Sequence, residues 1–183
     1  MSITEIKIGG FGGQGVILTG IIVGKAAAIY DDKYSTMTQA FGPEARGSSC
    51  SAQVVVSPEK ILYPYVARPD ILVVMSQDAA TRFAPQLKED ANAIMLYEKD
   101  LVKMDGIKIK GKAYGIPATS FAEELGRKMV LNIVMVGFFA AMTDIIGADA
   151  MREAVKVSVP RGTESLNLSA FDKGYTYGKE LRG

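Results

Sequence analysis

Residues Gly10-Phe11-Gly12-Gly13-Gln14-Gly15 stand between a predicted strand and a predicted helix, and this stretch decides the fold. Before it, Ile6 and Ile8 alternate with charged residues, as in a half-buried strand. After it, residues 16–30 form an apolar, alanine-rich run that is typical of a buried helix. A strand, a tight glycine loop and a helix predict the first unit of an α/β sheet.

The rest of the chain continues this alternation. Residues 70–75 form a short apolar run typical of a strand buried on both faces of a parallel sheet. We predict an open, mostly parallel Rossmann-like sheet with helices on both faces, in three layers, with room for one antiparallel strand, as a single domain 1–183. The other predicted strands are 34–40, 52–56, 93–97 and 107–114, and the other predicted helices are 77–87, 120–126, 132–146, 148–157 and 164–181.

Composition narrows the function classes. The 21 basic and 20 acidic side chains give a formal net charge of +1, which argues against a nucleic-acid protein held by a basic field. The apolar stretch 129–147 is interrupted by Asn132, Thr143 and Asp144, so we expect a core helix and no membrane association. A single Cys50 and no recognisable secretory signal fit a cytoplasmic protein.

The chain has no histidine and one cysteine, which leaves little from which to build a zinc site or an iron–sulfur cluster. Histidine is also the commonest general base in enzymes, so that role has no histidine to fill it in this chain. We therefore predict no metal site and no catalytic residue in this chain. If it serves an enzyme, a partner is expected to supply the chemistry.

The glycine loop satisfies the dinucleotide fingerprint, with glycines at positions 10, 12 and 15. Its backbone N–H groups and the following helix would favour a phosphate or another anion. The alternative is that the glycines only allow a tight turn or the close approach of another subunit. NAD is disfavoured, because the second strand ends at Thr38-Gln39-Ala40 without the acid that holds the ribose.

A charged loop follows the second predicted strand at residues 41–49. Arg46 offers a planar fork of donors suited to phosphate or carboxylate, and Glu44 could orient it. The same pair could equally form a local ion pair that stiffens a surface turn. Cys50, which follows, has no histidine to activate it, so we predict a small buried core residue.

These two loops together resemble the gamma subunits of 2-oxoacid:ferredoxin oxidoreductases, which correspond to one domain of the fused pyruvate:ferredoxin oxidoreductases. The resemblance extends along nearly the whole chain, and the Gly-Pro-Glu-Ala-Arg-Gly loop is its most specific part. The other matching segments are Pro69-Asp70, Ser76-Gln77-Asp78-Ala79, residues 132–137, Asn167, Ala170-Phe171 and Gly174-Tyr175.

The resemblance implies a subunit that is inactive alone and works in a complex. It implies alpha and beta partners with thiamine diphosphate and Mg2+, an iron–sulfur delta subunit or its equivalent, and ferredoxin as electron acceptor. It also implies coenzyme A as a substrate, with no cofactor tightly bound in this chain. The site residues expected to face that ligand are Gly12, Gly13, Gln14, Gly15 and Arg46, with Glu44 orienting.

With a single Arg46 after Ala45, the charged loop resembles those of the 2-oxoglutarate and branched-chain (2-oxoisovalerate) enzymes more than those of the pyruvate enzymes. We rank 2-oxoglutarate first, and the related indolepyruvate enzymes stay open. Two other readings stay open: a stand-alone nucleotide-binding oxidoreductase, and a noncatalytic scaffold or regulatory nucleotide-binding module. It also stays open whether the glycine loop touches coenzyme A or a partner subunit.

Overall fold

The computed structural model describes residues 3–42 and 48–183, and its centre is a six-stranded sheet in the order β2-β3-β1-β4-β5-β6. Strands β4, β5 and β6 continue parallel from β1, whereas β3 runs antiparallel to both β1 and β2. The predicted mixed α/β sheet is therefore confirmed. The strands are β1 (Thr4–Phe11), β2 (Tyr34–Phe41), β3 (Ser49–Ser57), β4 (Ile71–Val74), β5 (Ile94–Glu98) and β6 (Lys112–Ile116).

Helices cover both faces of the sheet. The α-helices are α1 (Val16–Lys25), α2 (Gln77–Phe83), α3 (Ala118–Glu124), α4 (Leu131–Met142), α5 (Ala148–Ser158) and α6 (Glu164–Arg182). One π-helical turn, Ala26–Tyr30, extends α1, and short 3-10 turns follow α2 and precede α4. Within the described ranges, no helix has both the length and the apolar character needed to cross a membrane.

The alternation of side chains along the strands separates two cores. Ile6, Ile8 and Val73 point to the larger core, which they share with α1 and α3 to α6. Leu72 and Val74 point to the opposite face and pack with α2. All four residues of β4 are buried, as the apolar run 70–75 predicts for a strand covered on both sides.

Helices α4 and α6 approach each other so closely that glycines are required at the crossing. A Cβ atom on Gly137 would overlap the backbone carbonyl oxygen of Phe171, and one on Gly174 would overlap that of Val134. The contact is therefore backbone against backbone. It fixes α6 against α4, which is buried at every one of its positions.

Three predicted elements have boundaries that lie furthest from those in the structure. The strand expected at 107–114 is β6 at Lys112–Ile116, because Ile107 and Ile109 pack against the α2 core and pairing with β5 begins only at Lys112. The helix expected at 132–146 ends at Met142, where Thr143 turns extended and its hydroxyl donates to the carbonyl oxygen of Phe139. The helix expected at 77–87 is α-helical only to Phe83, followed by a 3-10 turn.

The α4–α6 crossing yields a stability prediction. Gly137→Ala should lower the free energy of unfolding by about 3 kcal/mol, because the added methyl has no space against the α6 backbone. Gly24→Ala in α1 is the matched control: its Cβ would meet only the Ser35 hydroxyl, at 3.5 Å. It should raise stability by roughly 0.5–1 kcal/mol through helix propensity. Urea denaturation of both variants checks this, and equal effects would contradict the backbone contact.

Candidate functional site

The glycine loop lies at the carboxyl end of β1 and leads directly into α1. Gly13 has φ +96° and Gly15 has φ +74°, conformations that strongly favour glycine. A Cβ on Gly13 would point into open space, so only its backbone angle demands glycine there. A Cβ on Gly15 would lie 2.5 Å from Cγ of Asn132, so this position also needs glycine for packing.

Backbone donors are available at this loop. Among the described residues, the N–H groups of Gly13 and Gly15 have no acceptor. Helix α1 begins at Val16 with no side-chain cap and no acidic residue in its first turn, so the positive end of its dipole faces the loop uncompensated. The geometry therefore favours a phosphate or another anion, as the glycine pattern predicts.

Gln14 holds the loop in place with its side chain. Its Oε1 accepts a hydrogen bond from the Phe11 N–H at 2.7 Å, and its Nε2 donates to the carbonyl oxygen of Met75 at 2.8 Å. Met75 directly follows β4, so Gln14 joins the ends of two neighbouring strands. The backbone N–H of Gln14 donates to the carbonyl oxygen of Phe11 at 3.1 Å, so the donor that Gln14 keeps for a ligand is the second N–H of its side-chain amide. Gly12 likewise donates its own N–H to the carbonyl of Ser48.

The start of a second helix lies beside the same loop. Helix α4 begins at Leu131 without a side-chain cap, and Asn132 is 3% exposed with no hydrogen-bond partner for its Nδ2. Gly13, Gln14 and Leu131 line a cavity of about 180 Å³ together with Lys128 and Met129. Asn132, packed against Gly15 beside this cavity, is thus a buried amide whose hydrogen-bonding capacity is unused within the described residues.

The ends of the charged loop meet the glycine loop. The N–H of Gly12 donates to the carbonyl oxygen of Ser48 at 2.9 Å, and that of Gly42 donates to Ser49 at 2.8 Å. The flanks of the charged loop are therefore fixed at the carboxyl edge of β1, as expected from the sequence. Glu44 and Arg46 themselves lie outside the described residues, so their ligand contacts remain predictions.

The strand arrangement gives a structural reason to disfavour a dinucleotide. In that fold the strand beside the first one runs parallel and carries an acid at its end for the ribose. Here the neighbour of β1 on that side is β3, which runs antiparallel and enters the edge with Ser49 and Cys50. Cys50 is 6% exposed, and burial raises the pKa of its thiol, which confirms the prediction of a buried core residue.

Glu98, at the end of β5, is a buried carboxyl group at this edge. Its Oε1 accepts from the backbone N–H groups of Asp100 and Thr119, both at 3.2 Å, while its Oε2 has no partner in the described structure. Asp100 in turn accepts from the N–H and hydroxyl of Ser120. The two carboxyl groups hold the start of α3, and burial raises the pKa of Glu98.

Sequence reasoning did not single out Asn132 or Glu98 as site residues. Each was nevertheless visible in the sequence: Asn132 is the one polar side chain within the apolar run 130–142, and Glu98 directly follows the apolar run 93–97. Periodicity marks such positions as buried. It cannot say which loop or helix end they will face, because that depends on the strand order.

Comparisons with known proteins agree with this fold. The sequence model of the pyruvate ferredoxin/flavodoxin oxidoreductase family matches residues 5–177. The chain is 46% identical over 179 residues to the 2-oxoglutarate synthase subunit KorC of Methanocaldococcus jannaschii, covering 97% of this chain and 95% of that one.

Two solved structures share the fold. The gamma subunit of a keto/oxoacid ferredoxin oxidoreductase from Geobacter sulfurreducens superposes with a TM-score of 0.82 at 32% identity, covering 98% of this chain and 99% of that one. The second is the 2-oxoglutarate:ferredoxin oxidoreductase of Magnetococcus marinus, solved with 2-oxoglutarate, coenzyme A and succinyl-CoA bound. It superposes with a TM-score of 0.87 at 22% identity, covering 99% of this chain and 32% of that one.

The chain belongs to the pyruvate ferredoxin/flavodoxin oxidoreductase family. The sequence-based resemblance to the gamma subunits of 2-oxoacid:ferredoxin oxidoreductases is thereby confirmed.

The buried Glu98 predicts a pH-dependent difference in stability. Because burial raises the folded-state pKa of Glu98, the contribution of its protonated form to stability is fully present below about pH 4.3, the ordinary pKa of a glutamate. Stability should fall as pH rises through the higher folded-state value. Glu98→Gln, which keeps an oxygen for the two backbone donors, should remove this loss. The wild type should therefore weaken relative to the variant between pH 4 and pH 7.5, as measured by urea denaturation.

Glu89→Gln is the control of opposite sign. Glu89 is exposed and paired with Lys110, which holds its pKa below the ordinary value, so it contributes stability that is lost as pH falls. If Glu98→Gln and Glu89→Gln shift the pH profile in the same direction, the assignment of Glu98 as a buried, destabilising carboxylate fails.

Proposed function

We propose that this chain, as a single unit of residues 1–183, is the gamma subunit of a 2-oxoglutarate:ferredoxin oxidoreductase and holds part of coenzyme A at its glycine loop. In this proposal the complex converts a 2-oxoacid and coenzyme A to acyl-CoA and CO2 and reduces ferredoxin. Alpha and beta subunits carry thiamine diphosphate and Mg2+, and an iron–sulfur delta subunit or its equivalent passes electrons to ferredoxin in the cytoplasm.

The observation that carries the proposal is the convergence of unused donors at one loop. The N–H groups of Gly13 and Gly15 and the Nδ2 of Asn132 lie at the N-termini of α1 and α4. Coenzyme A brings a diphosphate, whose charge suits the N-terminus of α1. A buried amide without a partner is unfavourable, so a ligand oxygen that reaches Asn132 would stabilise the bound state.

The role assigned to this chain is binding and positioning. Backbone donors at the glycine loop can orient an anionic ligand without changing its chemistry. Gln14 keeps the loop rigid by linking β1 to the end of β4, so little ordering is needed when the ligand binds. Thiamine chemistry and electron transfer belong, in this proposal, to the partner subunits.

The preference for 2-oxoglutarate has independent support. The relative from Methanocaldococcus jannaschii, whose length this chain matches almost completely, is a 2-oxoglutarate synthase subunit. The single Arg46 of the charged loop points to the same substrate by resemblance. An assembled complex is therefore expected to turn over 2-oxoglutarate faster than pyruvate or branched-chain 2-oxoacids at equal concentrations.

The glycine loop is tested by Gly13→Ala in the assembled complex. The added methyl forces strain at φ +96° and covers the open side of the loop, so the Michaelis constant for coenzyme A should rise about tenfold, the loss expected for a charge-assisted hydrogen bond. The Michaelis constant for 2-oxoglutarate should stay within about twofold. Steady-state ferredoxin reduction with each substrate varied in turn gives both values.

Gly106→Ala is the matched control, since Gly106 also has positive φ, +81°, and open space for a Cβ, but lies in the connection between β5 and β6. Gly106→Ala should leave the Michaelis constant for coenzyme A unchanged. If Gly13→Ala also leaves this constant unchanged, the proposed contact is overturned. If Gly13→Ala instead lost its partner subunits on purification, the loop would be assigned to subunit contact.

A further inference from the structure

A second polar cleft lies on the face of the sheet that carries α2, beside the middle of β1. It has a volume of about 270 Å³ and is lined by residues that include Lys7, Gln53 and Arg82. Lys7 points to this face from β1, and Gln53 reaches it from the neighbouring β3. None of the described glycine-loop residues Gly12 to Gly15 lines this cleft.

Lys7 is an unusual residue for this position. Its side chain comes from the middle of a central strand, and the residue is only 8% exposed. Its Nζ donates to Oε1 of Gln86 at 2.7 Å and lies 4.4 Å from the centre of the Phe83 ring. No carboxylate in the described residues forms an ion pair with it, so a buried cation is held by one neutral amide and an aromatic face.

Such a cation destabilises the empty protein. Burial and the neighbouring Arg82 both lower the pKa of Lys7, because each disfavours its charged form. Buried charges in proteins are ordinarily paired or hydrogen-bonded. An anion in the cleft would supply the counter-charge that the described residues leave out.

Further donors surround the cleft. Arg82 uses one N–H on the Ser49 hydroxyl at 3.2 Å and keeps the rest of its guanidinium fork available in the described structure. The Oε1 of Gln53 accepts from the Val66 N–H at 3.0 Å, which fixes the amide orientation and leaves its Nε2 as a donor. A lysine, an arginine and an amide therefore converge on one small space.

The charge balance of the cleft is positive. None of its described lining residues is acidic, and Lys7 and Arg82 are both cations. Among the described residues, the cleft therefore carries a net positive charge.

We propose that the cleft formed by Lys7, Gln53 and Arg82 binds a phosphate group. A phosphate offers several oxygens in a tetrahedral array, which suits a point charge, a planar fork and an amide approaching from different sides. The group is either free inorganic phosphate or a phosphate of coenzyme A. Gly42 and Ser49, at the flanks of the charged loop, also line the cleft, so the coenzyme A source rests on the proposed function, whereas binding of inorganic phosphate is tested without it.

The first test is calorimetric titration of the full chain with inorganic phosphate at low ionic strength, where charge interactions are least screened. The wild type should bind one phosphate saturably. Arg82→Gln and Lys7→Met should each weaken binding about tenfold or more, as the loss of a charge-assisted bond does. Lys156→Gln removes the same charge from an exposed position on α5 and should change affinity less than about twofold.

Thermal unfolding in the absence of phosphate separates binding from folding. Lys7→Met keeps the length of the side chain and removes the buried charge, so its melting temperature should match or exceed that of the wild type. Should Lys7→Met fold poorly, Arg82→Gln carries the test, because Arg82 is exposed. A wild-type chain that gives no saturable phosphate signal, or a control that loses as much affinity as Arg82→Gln, overturns the site.

The source of the phosphate is found by titrating coenzyme A and 3′-dephospho-coenzyme A in parallel. If Arg82→Gln weakens the binding of coenzyme A but not that of its 3′-dephospho form, the cleft holds the 3′-phosphate. If the variant weakens the binding of both equally, the cleft holds the diphosphate. If the affinity for neither changes while inorganic phosphate binding is lost, the cleft serves free phosphate.

Discussion

The hydrogen-bonded pairing of β3 with β1 on one side and β2 on the other is the constraint on which the candidate site depends. Register matches Phe11 with Ser49, and Phe41 with Cys50, so the ends of β1, β2 and β3 meet at one edge. The glycine loop and the flanks of the charged loop are adjacent for this reason, although some thirty residues separate them in the chain. Backbone bonds from Gly12 to Ser48 and from Gly42 to Ser49 complete the junction.

The same pairing explains why a dinucleotide fingerprint occurs in a fold unsuited to NAD. Placing antiparallel β3 beside β1 removes the parallel neighbour from which a ribose-binding acid would come. What remains is a glycine loop at the N-terminus of α1, with Asn132 near the start of α4 beside it; the Nδ2 of Asn132 has no partner among the described residues. The donors are mostly backbone groups, so the site depends on loop conformation more than on reactive side chains.

Much of the fold could be predicted from the sequence, because local periodicity and the glycine cluster specify strand, loop and helix directly. The predictions failed where tertiary contacts override local pattern: Ile107 and Ile109 read as a strand but pack against the α2 core. For the site, positive φ at Gly13 and Gly15 agrees with a special loop conformation. The clamping role of Gln14 and the burial of Lys7 depend on which strands and helices become neighbours, which periodicity does not encode.

We propose that this chain supplies coenzyme A recognition to a larger oxidoreductase, and leaving the chain out of the assembly tests that role. A complex assembled anaerobically from the partner subunits, with and without this chain, would be assayed for ferredoxin reduction that requires both 2-oxoglutarate and coenzyme A. This activity should be lost without the chain and should return when the chain is added back. Full activity, with an unchanged Michaelis constant for coenzyme A, in the complex that lacks the chain would contradict it.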